Sequence, residues 1–171
     1  MLRSFWHRRA AEKSLKAAVE HKRLDRPFTI KHVRVLLDAS LGVEESFFTG
    51  LAKALNIPPV NVYTFVFPAK NEVEKQYEHF FNPEEVSFFG KFEGELALMC
   101  EKEVDLQIHF FSREERYMSW VASKAKNKFS VGFSGADQRI NDLVFDFAPK
   151  ATATFQKELV KYLTILEKLE A

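Results

Sequence analysis

The sequence predicts one Rossmann-like α/β domain of three layers, in which a mostly parallel sheet of about six strands follows a basic N-terminal helix. Two observations predict this fold class. Short apolar segments rich in β-branched residues alternate with longer segments of helical periodicity, which is typical of a parallel sheet with helices on both faces. The length of 171 residues suits one compact domain. Right-handed crossovers then favour the strand order 3-2-1-4-5-6.

The first predicted element is a helix from about Arg3 to Leu24, which Pro27 ends. Ala, Lys, Arg, Glu and Leu dominate this segment, whereas Gly and Pro are absent. It carries only a modest apolar stripe, formed by Phe5, Ala11, Leu15, Ala18 and Val19. We therefore divide the chain into a basic N-terminal helix, residues 1–26, and a Rossmann-like domain, residues 27–171.

Strands and helices alternate through the rest of the chain. Apolar runs predict strands at residues 32–40, 60–67, 85–90, 104–111, 129–133 and 142–147. Helical spacing predicts helices at residues 43–56, 93–103, 112–126 and 154–169. The third of these helices starts with a predicted capping box, with Ser112 at N-cap and Glu115 at N3. Residues 71–81 fit either a short helix or a lid-like loop.

Charge is distributed unevenly along the chain. Residues 1–34 hold ten Lys or Arg and three acidic residues, a net charge of +7, and the remainder carries −6, which together give the +1 of the whole chain. A basic helix on an acidic body indicates an anionic partner, either RNA or the ribosome, a membrane surface, or a protein complex. The candidate partner-binding residues are Arg3, Trp6, Arg8, Arg9, Lys13, Lys16, Lys22 and Arg23.

Two interpretations of this helix remain open. Phe5 and Trp6, between the basic residues, suit stacking on bases or insertion at a lipid interface. The alternative is a solvated helix that packs on the domain through Leu15 and Val19.

Composition and motifs narrow the classes of function. A single cysteine, Cys100, excludes an internal disulfide, suits a reducing cytoplasm and is predicted to be buried. Eighteen Phe residues predict a Phe-rich core. No signal peptide or membrane-spanning segment is predicted, and we expect a cytoplasmic protein. The dinucleotide, Walker A and nucleophile-elbow motifs are absent, and the five His are scattered, so we predict no cofactor and no metal site.

A binding site in an open parallel sheet lies beyond the carboxyl ends of the strands. The candidate ligand-binding residues at that edge are Asp38, Ser40, His109, Ser112, Gly132 and Ser134. Each also has a purely structural interpretation. Asp38 and Ser40 suit helix capping, His109 a hydrogen-bonded strand end, and Gly132 a backbone requirement. We assign no catalytic residue.

The segments VRVLLDAS, VDLQIHFF, SKAKNKFSVGF, NDLVFDF and LVKYLTIL, in this order behind a basic helix, resemble an uncharacterised bacterial family, a domain-of-unknown-function group of about this length. The resemblance implies the Rossmann-like fold and a cytoplasmic bacterial setting, and it implies no activity. Residues 104–133 are also similar to the N-terminal half of heptosyltransferase-type glycosyltransferases. Those enzymes need a second Rossmann-like domain, for which this chain is too short.

These observations favour a non-catalytic binding or assembly protein whose basic helix docks on an anionic partner. The alternative is a small enzyme, or a glycosyltransferase-like remnant, that binds a sugar or nucleotide at the carboxyl edge of the sheet.

Overall fold

In the computed structural model, which describes residues 2–20, 27–69, 77–113 and 115–169, five strands form one sheet with helices on both faces. The strands are β1 (Val33–Asp38), β2 (Val62–Phe67), β3 (Val104–Phe110), β4 (Asn127–Phe133) and β5 (Leu143–Phe145). The helices are α1 (Leu2–Glu20), α2 (Glu45–Ala54), α3 (Gly94–Glu101), α4 (Arg116–Lys124) and α5 (Thr152–Ile165). The predicted α/β fold, with its N-terminal helix first, is confirmed.

The strand order is β2-β1-β3-β4-β5, and every neighbouring pair is parallel. β1 lies between two partners, with Val33 opposite Val62 of β2 and Leu106 of β3. All residues of β1 and β3 are buried because helices cover both faces of the sheet. This complete burial is the reason that the two segments are apolar along most of their length.

The predicted strand at residues 85–90 is wrong, so the sheet has five strands and not six. Val86 and Phe92 form an isolated antiparallel bridge, and the residues between them close a tight turn. Phe80 forms an isolated parallel bridge with Val66 of β2, at the sheet edge where the strand at residues 85–90 was predicted. When the wrong strand is removed from the predicted order, the order of the other five strands is the observed one. Of the helix or loop predicted at 71–81, residues 71–76 lie outside the described residues.

Two apolar layers hold the helices on the sheet. On one face α2 and α5 pack through side chains such as Phe48 and Phe155. There the ring centroids of Phe48 and Phe110, of Phe110 and Phe133, and of Phe133 and Phe155 are 5.0, 5.3 and 5.5 Å apart. α3 and α4 cover the other face, where Trp120 is fully buried. The predicted Phe-rich core is confirmed.

The start of α4 differs from the predicted capping box. The N-cap residue is Glu115, whose Oε2 accepts a hydrogen bond from the amide of Met118 (2.9 Å). Ser112 therefore lies before the helix and does not cap it, because the side chain of Glu115 already occupies the capping position.

α1 packs along α4, and the two helices run parallel. Successive hydrogen bonds join Ser4 to Arg116 (3.2 Å), His7 to Tyr117 (3.0 Å) and Ser14 to Ser123 (2.8 Å). Since α4 runs back from the carboxyl edge of the sheet, the first turns of α1 lie near that edge.

The buried face of α1 is formed by His7, Ala11 and Leu15, which follow one another at four-residue spacing. Of the two residues through which the helix was predicted to pack on the domain, Leu15 is buried and Val19 is about half exposed (49%). Phe5 is also about half exposed (50%). A buried histidine on α1 is the feature that a hydrophobic pattern does not reveal.

The segment before β1 and the segment after α5 meet at the amino edge of the sheet. The amide of Ile30, three residues before β1, donates to the carbonyl of Lys168, beyond the end of α5 (2.8 Å).

Candidate functional site

Asp38 ends β1 at the carboxyl edge, and only 1% of its side chain is exposed. Its Oδ1 accepts a hydrogen bond from the amide of Ser40 (3.0 Å), which stabilises the 3-10 turn Ala39–Leu41. Its Oδ2 accepts from Nε of Arg113 (2.8 Å). Both carboxylate oxygens of Asp38 therefore have partners within the chain.

His109, on β3, is fully buried and hydrogen-bonded on both ring nitrogens. Nε2 lies 2.8 Å from Nε2 of Gln107, and Nδ1 lies 2.6 Å from Oδ1 of Asn141. An amide nitrogen donates and an amide oxygen accepts, so these partners assign a neutral ring with its proton on Nδ1. Gly132 adjoins this contact, because a Cβ at that position would clash with Oδ1 of Asn141.

The hydrogen bonds continue from Gln107 to Arg34, which is almost fully buried on β1. Nη1 of Arg34 donates to Oε1 of Gln107 (2.8 Å), and Nη2 donates to the carbonyls of Met99 (2.8 Å) and Lys102 at the end of α3. Burial lowers the pKa of Arg34. The guanidinium of Arg34 donates to carbonyl groups that a helix C-terminus leaves without partners. The chain of hydrogen bonds from His109 through Gln107 to Arg34 therefore has a structural role.

The other two predicted residues of this edge have different partners. Ser134 donates to Oδ1 of Asp146 (2.7 Å), and the backbone of Ser112, between β3 and α4, lies against Gly135, the neighbour of Ser134. The structure thus pairs Asp38 with Ser40, and it joins His109 to Gly132 through Asn141. A cavity of about 570 Å³ opens near this edge and is lined in part by Gly42, Ser46 and Lys150.

A second cavity, of about 430 Å³, lies between α1 and the start of β4. Three of the cations that line it form ion pairs. Lys126 pairs with Glu101, Nζ of Lys128 lies 2.7 Å from Oδ1 of Asp105, and Nη1 of Arg139 lies 2.9 Å from Oε1 of Glu12. The hydrogen bond from Arg139 lowers the pKa of Glu12. These ion pairs make the cavity a poor site for an added anion.

A third cavity, of about 750 Å³, lies beside β2, and its charged lining residues are the acids Glu45, Glu78 and Glu95 and the cations Arg34 and Lys102. Within it, Nδ1 of His79 lies 2.5 Å from Oε1 of Glu95, and its ring lies 4.5 Å from that of Tyr63. Burial, with Glu95 nearby, raises the pKa of Tyr63. Acids outnumber cations in this lining, so the cavity does not favour an anionic partner.

α1 presents its remaining face to solvent. Six exposed residues at three- and four-residue spacing share this face, namely Leu2, Phe5, Trp6, Arg9, Lys13 and Lys16. The first three are apolar and occupy the first two turns. We call the other three, Arg9, Lys13 and Lys16, the cationic stripe.

The turn between Val86 and Phe92 carries two phenylalanines at its tip. The amide of Gly90 donates to the carbonyl of Ser87 (3.0 Å), so Ser87 to Gly90 form a β-turn with Phe88 and Phe89 at its two central positions. These side chains are 45% and 70% exposed. Turn tips usually hold Gly, Pro, Asn, Asp or Ser, so two exposed aromatic rings here require another explanation.

The turn and α1 touch at Gly90, whose φ is +84°. A Cβ at Gly90 would lie 2.8 Å from Cβ of Ala10 and 2.9 Å from the ring of Trp120, so only glycine permits this approach. Arg3 also joins the two, because its Nη2 donates to the carbonyl of Val86 (2.8 Å).

The approach brings the exposed rings into one cluster. The ring centroids of Phe5 and Trp6 are 5.8 Å apart, those of Trp6 and Phe89 are 5.8 Å apart, and those of Phe88 and Phe89 are 5.2 Å apart. The guanidinium carbon of Arg9 lies 5.6 Å from the ring centroid of Phe5. We call the five exposed residues Leu2, Phe5, Trp6, Phe88 and Phe89 the apolar tip.

The predicted partner-binding residues thus occupy different positions on α1. Trp6 belongs to the apolar tip, and Arg9, Lys13 and Lys16 form the cationic stripe. Arg3 is bonded to the turn, Arg8 is exposed beside the stripe, and Lys22 and Arg23 lie outside the described residues. Sequence reasoning missed Phe88 and Phe89. The Ser-x-x-Gly spacing of residues 87–90 was the signal for a turn.

Two features of the described residues bear on the class of site. None of the helices in the described ranges is long and apolar enough to cross a bilayer. Across those ranges, no three or more His, Cys, Asp or Glu side chains are grouped to hold a metal ion.

Comparison with known proteins places the chain in a family. A family model described as a family of unknown function (DUF6913) matches residues 3–166. The predicted resemblance to a domain-of-unknown-function group is thereby confirmed. No curated protein and no solved structure matches the chain, and nothing in these comparisons supports the similarity to heptosyltransferases.

Proposed function

The chain belongs to the DUF6913 family of unknown function, and from that premise we propose that it is a non-catalytic binding protein that docks on an anionic partner through α1. The observation that carries the proposal is the exposed face of α1, on which the cationic stripe follows the apolar tip. We further propose that residues 1–26 form the docking element and residues 27–171 the body that carries it.

Charge supports this assignment. The first 34 residues carry +7 and the rest of the chain carries −6, and α1 itself holds five Lys or Arg against two Glu. An anionic surface is therefore attracted to α1 and repelled by the net charge of the rest of the chain. Such a distribution orients the molecule during the encounter and makes binding sensitive to salt.

The rigidity of α1 also supports it. The buried face of α1 is fixed on α4, so the helix does not have to fold when the partner binds. A preformed helix avoids the entropy cost of ordering a flexible basic arm, and its charges are already aligned.

The test compares two triple variants of the full-length chain. Arg9→Gln, Lys13→Gln and Lys16→Gln remove the cationic stripe, whereas Lys53→Gln, Lys102→Gln and Lys157→Gln remove three exposed charges elsewhere. Each set lowers the net charge from +1 by three, to −2. Point variants are preferred to removal of residues 1–26, because loss of α1 would expose the core around Trp120.

Binding is measured by sedimentation with ribosomes, with single-stranded RNA and with anionic vesicles, at low and high salt. We expect the stripe variant to lose at least about tenfold in affinity for one of these partners, and the control set to lose less than about twofold. Equal binding by both sets would refute the proposal.

The alternative function, recognition of a sugar or nucleotide at the carboxyl edge, is supported by the cavity of about 570 Å³ beside Gly42 and Lys150. Its test is thermal unfolding with a panel of nucleotides and nucleotide sugars. A ligand that binds the folded state raises the Tm, and a Lys150→Ala variant should then lose that shift. An unchanged Tm across the panel would exclude this alternative.

A further inference from the structure

The solvent exposure of the apolar tip is not explained by attraction to an anion. Leu2 and Phe89 are 71% and 70% exposed, and Phe5 is 50% exposed. Side chains of this kind are costly to leave in water, and a contiguous exposed apolar patch marks an interaction surface. We propose that this patch inserts into the interfacial region of an anionic lipid bilayer, an inference that rests on the proposed docking function of α1.

The composition of the surface fits that partner. Interfacial helices place Trp, Phe and Leu among the headgroups and acyl chains, and they keep Lys and Arg at the level of the anionic headgroups. The apolar tip supplies the first set and the cationic stripe supplies the second on the same helix face. From Leu2 to Lys16 the axial rise is about 21 Å, at about 1.5 Å per residue.

The geometry of the rings favours lipid over single-stranded RNA. Stacking on successive bases needs ring faces that point in a common direction, but Phe5, Trp6 and Phe89 are packed with interplanar angles of 78° and 74°, so their faces point in different directions. Leu2 has no aromatic face at all. These side chains pack together as one apolar cluster, and a bilayer can bury the whole cluster at once.

A second copy of the chain is a less favourable occupant. A symmetric dimer through the apolar tip would bring two cationic stripes together, and like charges at close range oppose association. An anionic bilayer instead contacts both parts of the surface, because its interfacial region accepts the apolar tip and its headgroups attract the cationic stripe.

The test uses the full-length chain with vesicles of phosphatidylcholine containing about 30 mol% phosphatidylserine, with pure phosphatidylcholine vesicles, and with a single-stranded RNA of about 20 nucleotides. Phe88→Ser with Phe89→Ser removes the turn part of the apolar tip. The matched control, Val60→Ser with Leu98→Ser, removes two other exposed apolar side chains (88% and 74% exposed). Circular dichroism shows that each variant is folded.

We expect the chain to bind the phosphatidylserine vesicles and to bind pure phosphatidylcholine at least about tenfold more weakly. The double Phe variant should lose about tenfold or more in affinity for the anionic vesicles, and the control less than about twofold. Fluorescence gives an independent signal, because Trp6 is exposed and the other tryptophan, Trp120, is already buried. Insertion should shift the emission to the blue, and Trp6→Phe should abolish the shift.

The outcomes separate this inference from the proposed function. Binding to RNA that depends on the cationic stripe, without binding to vesicles, would overturn the lipid inference and keep the docking function. Vesicle binding that the double Phe variant retains in full would also overturn it. If the stripe variant binds every probe as the unaltered chain does, both proposals fail.

Discussion

The Nδ1 atom of His7 lies 3.0 Å from the hydroxyl oxygen of Tyr117, a residue 110 positions later in the chain. Nε2 of the same ring lies 2.8 Å from the carbonyl of Ser87. A carbonyl only accepts, so Nε2 carries the proton and donates to Ser87, and Nδ1 accepts from Tyr117. One buried side chain of α1 therefore ties this helix to α4 and to the turn that carries Phe88 and Phe89.

We expect His7→Ala to lower the free energy of unfolding by about 2–4 kcal/mol, because it removes two hydrogen bonds and leaves a cavity beside Trp120. Arg8→Ala, at the neighbouring exposed position, should change it by less than about 0.5 kcal/mol. Urea unfolding of the two variants measures the difference. Equal stabilities would mean that α1 contributes little to the fold through His7.

Gly132→Ala should destabilise the protein by about 1–3 kcal/mol, because the new methyl group would displace Asn141 from its hydrogen bond with His109. Gly50, within α2, has open space around its Cβ position. Gly50→Ala should therefore raise stability by about 0.5–1 kcal/mol, through helix propensity. Thermal or urea unfolding of both variants checks the prediction, which fails if they change stability in the same direction.

The hydrogen bonds of Asp105 are expected to make the free energy of unfolding depend on pH. Its carboxylate accepts from Nζ of Lys128 (2.7 Å) and from the amides of Lys31 (3.0 Å) and His32 (2.9 Å). Burial alone would raise its pKa, but these hydrogen bonds together lower the pKa of Asp105 below its usual value. The stabilisation is therefore complete above the unfolded pKa of about 4 and is lost as the pH falls through the lower folded pKa.

We expect Asp105→Asn to cost about 2 kcal/mol at pH 7, and this cost should shrink steadily below about pH 4. Urea unfolding across this pH range measures it. Lys128→Met, which removes the charged donor, should weaken the same pH dependence. A cost that stays constant from pH 7 to the acid limit would contradict the role given to the charge of Asp105.

Cys100 should be almost unreactive in the folded chain. Burial raises the pKa of its thiol to about 12, so very little thiolate is present near neutral pH. At pH 8 we expect reaction with a thiol reagent to be about a thousandfold slower than in the urea-unfolded chain, where the pKa is about 8.5. Comparable rates in the two states would show that the α3 region opens readily.

The fold was predictable from the sequence wherever a segment is buried on both faces. β1 and β3 are apolar along most of their length because helices cover them on either side, and this pattern is local. The segment EVSFFG has the same composition as a strand, and what makes it a turn is the contact of Gly90 with Ala10 and Trp120. Contacts between residues so distant in the chain are not encoded in local periodicity.

The candidate surface was predictable only in part. Helical spacing places Arg9, Lys13 and Lys16 on one face, but which face is exposed depends on how Ala11 and Leu15 pack on α4. The exposure of Phe5 was left open by the sequence, because an apolar residue of a helix suits either the core or a binding surface.

The hydrogen bond from Ile30 to Lys168 has a practical consequence for handling the protein. It holds the end of α5 at the amino edge of the sheet, whereas Phe5 and Trp6 lie near the carboxyl edge, about 20 Å away along strands of about 3.3 Å per residue. An affinity tag or fluorophore attached directly after Leu169 would therefore leave the apolar tip unobstructed. A sensor chip that captures the protein by such a tag would present this tip outward, toward injected vesicles.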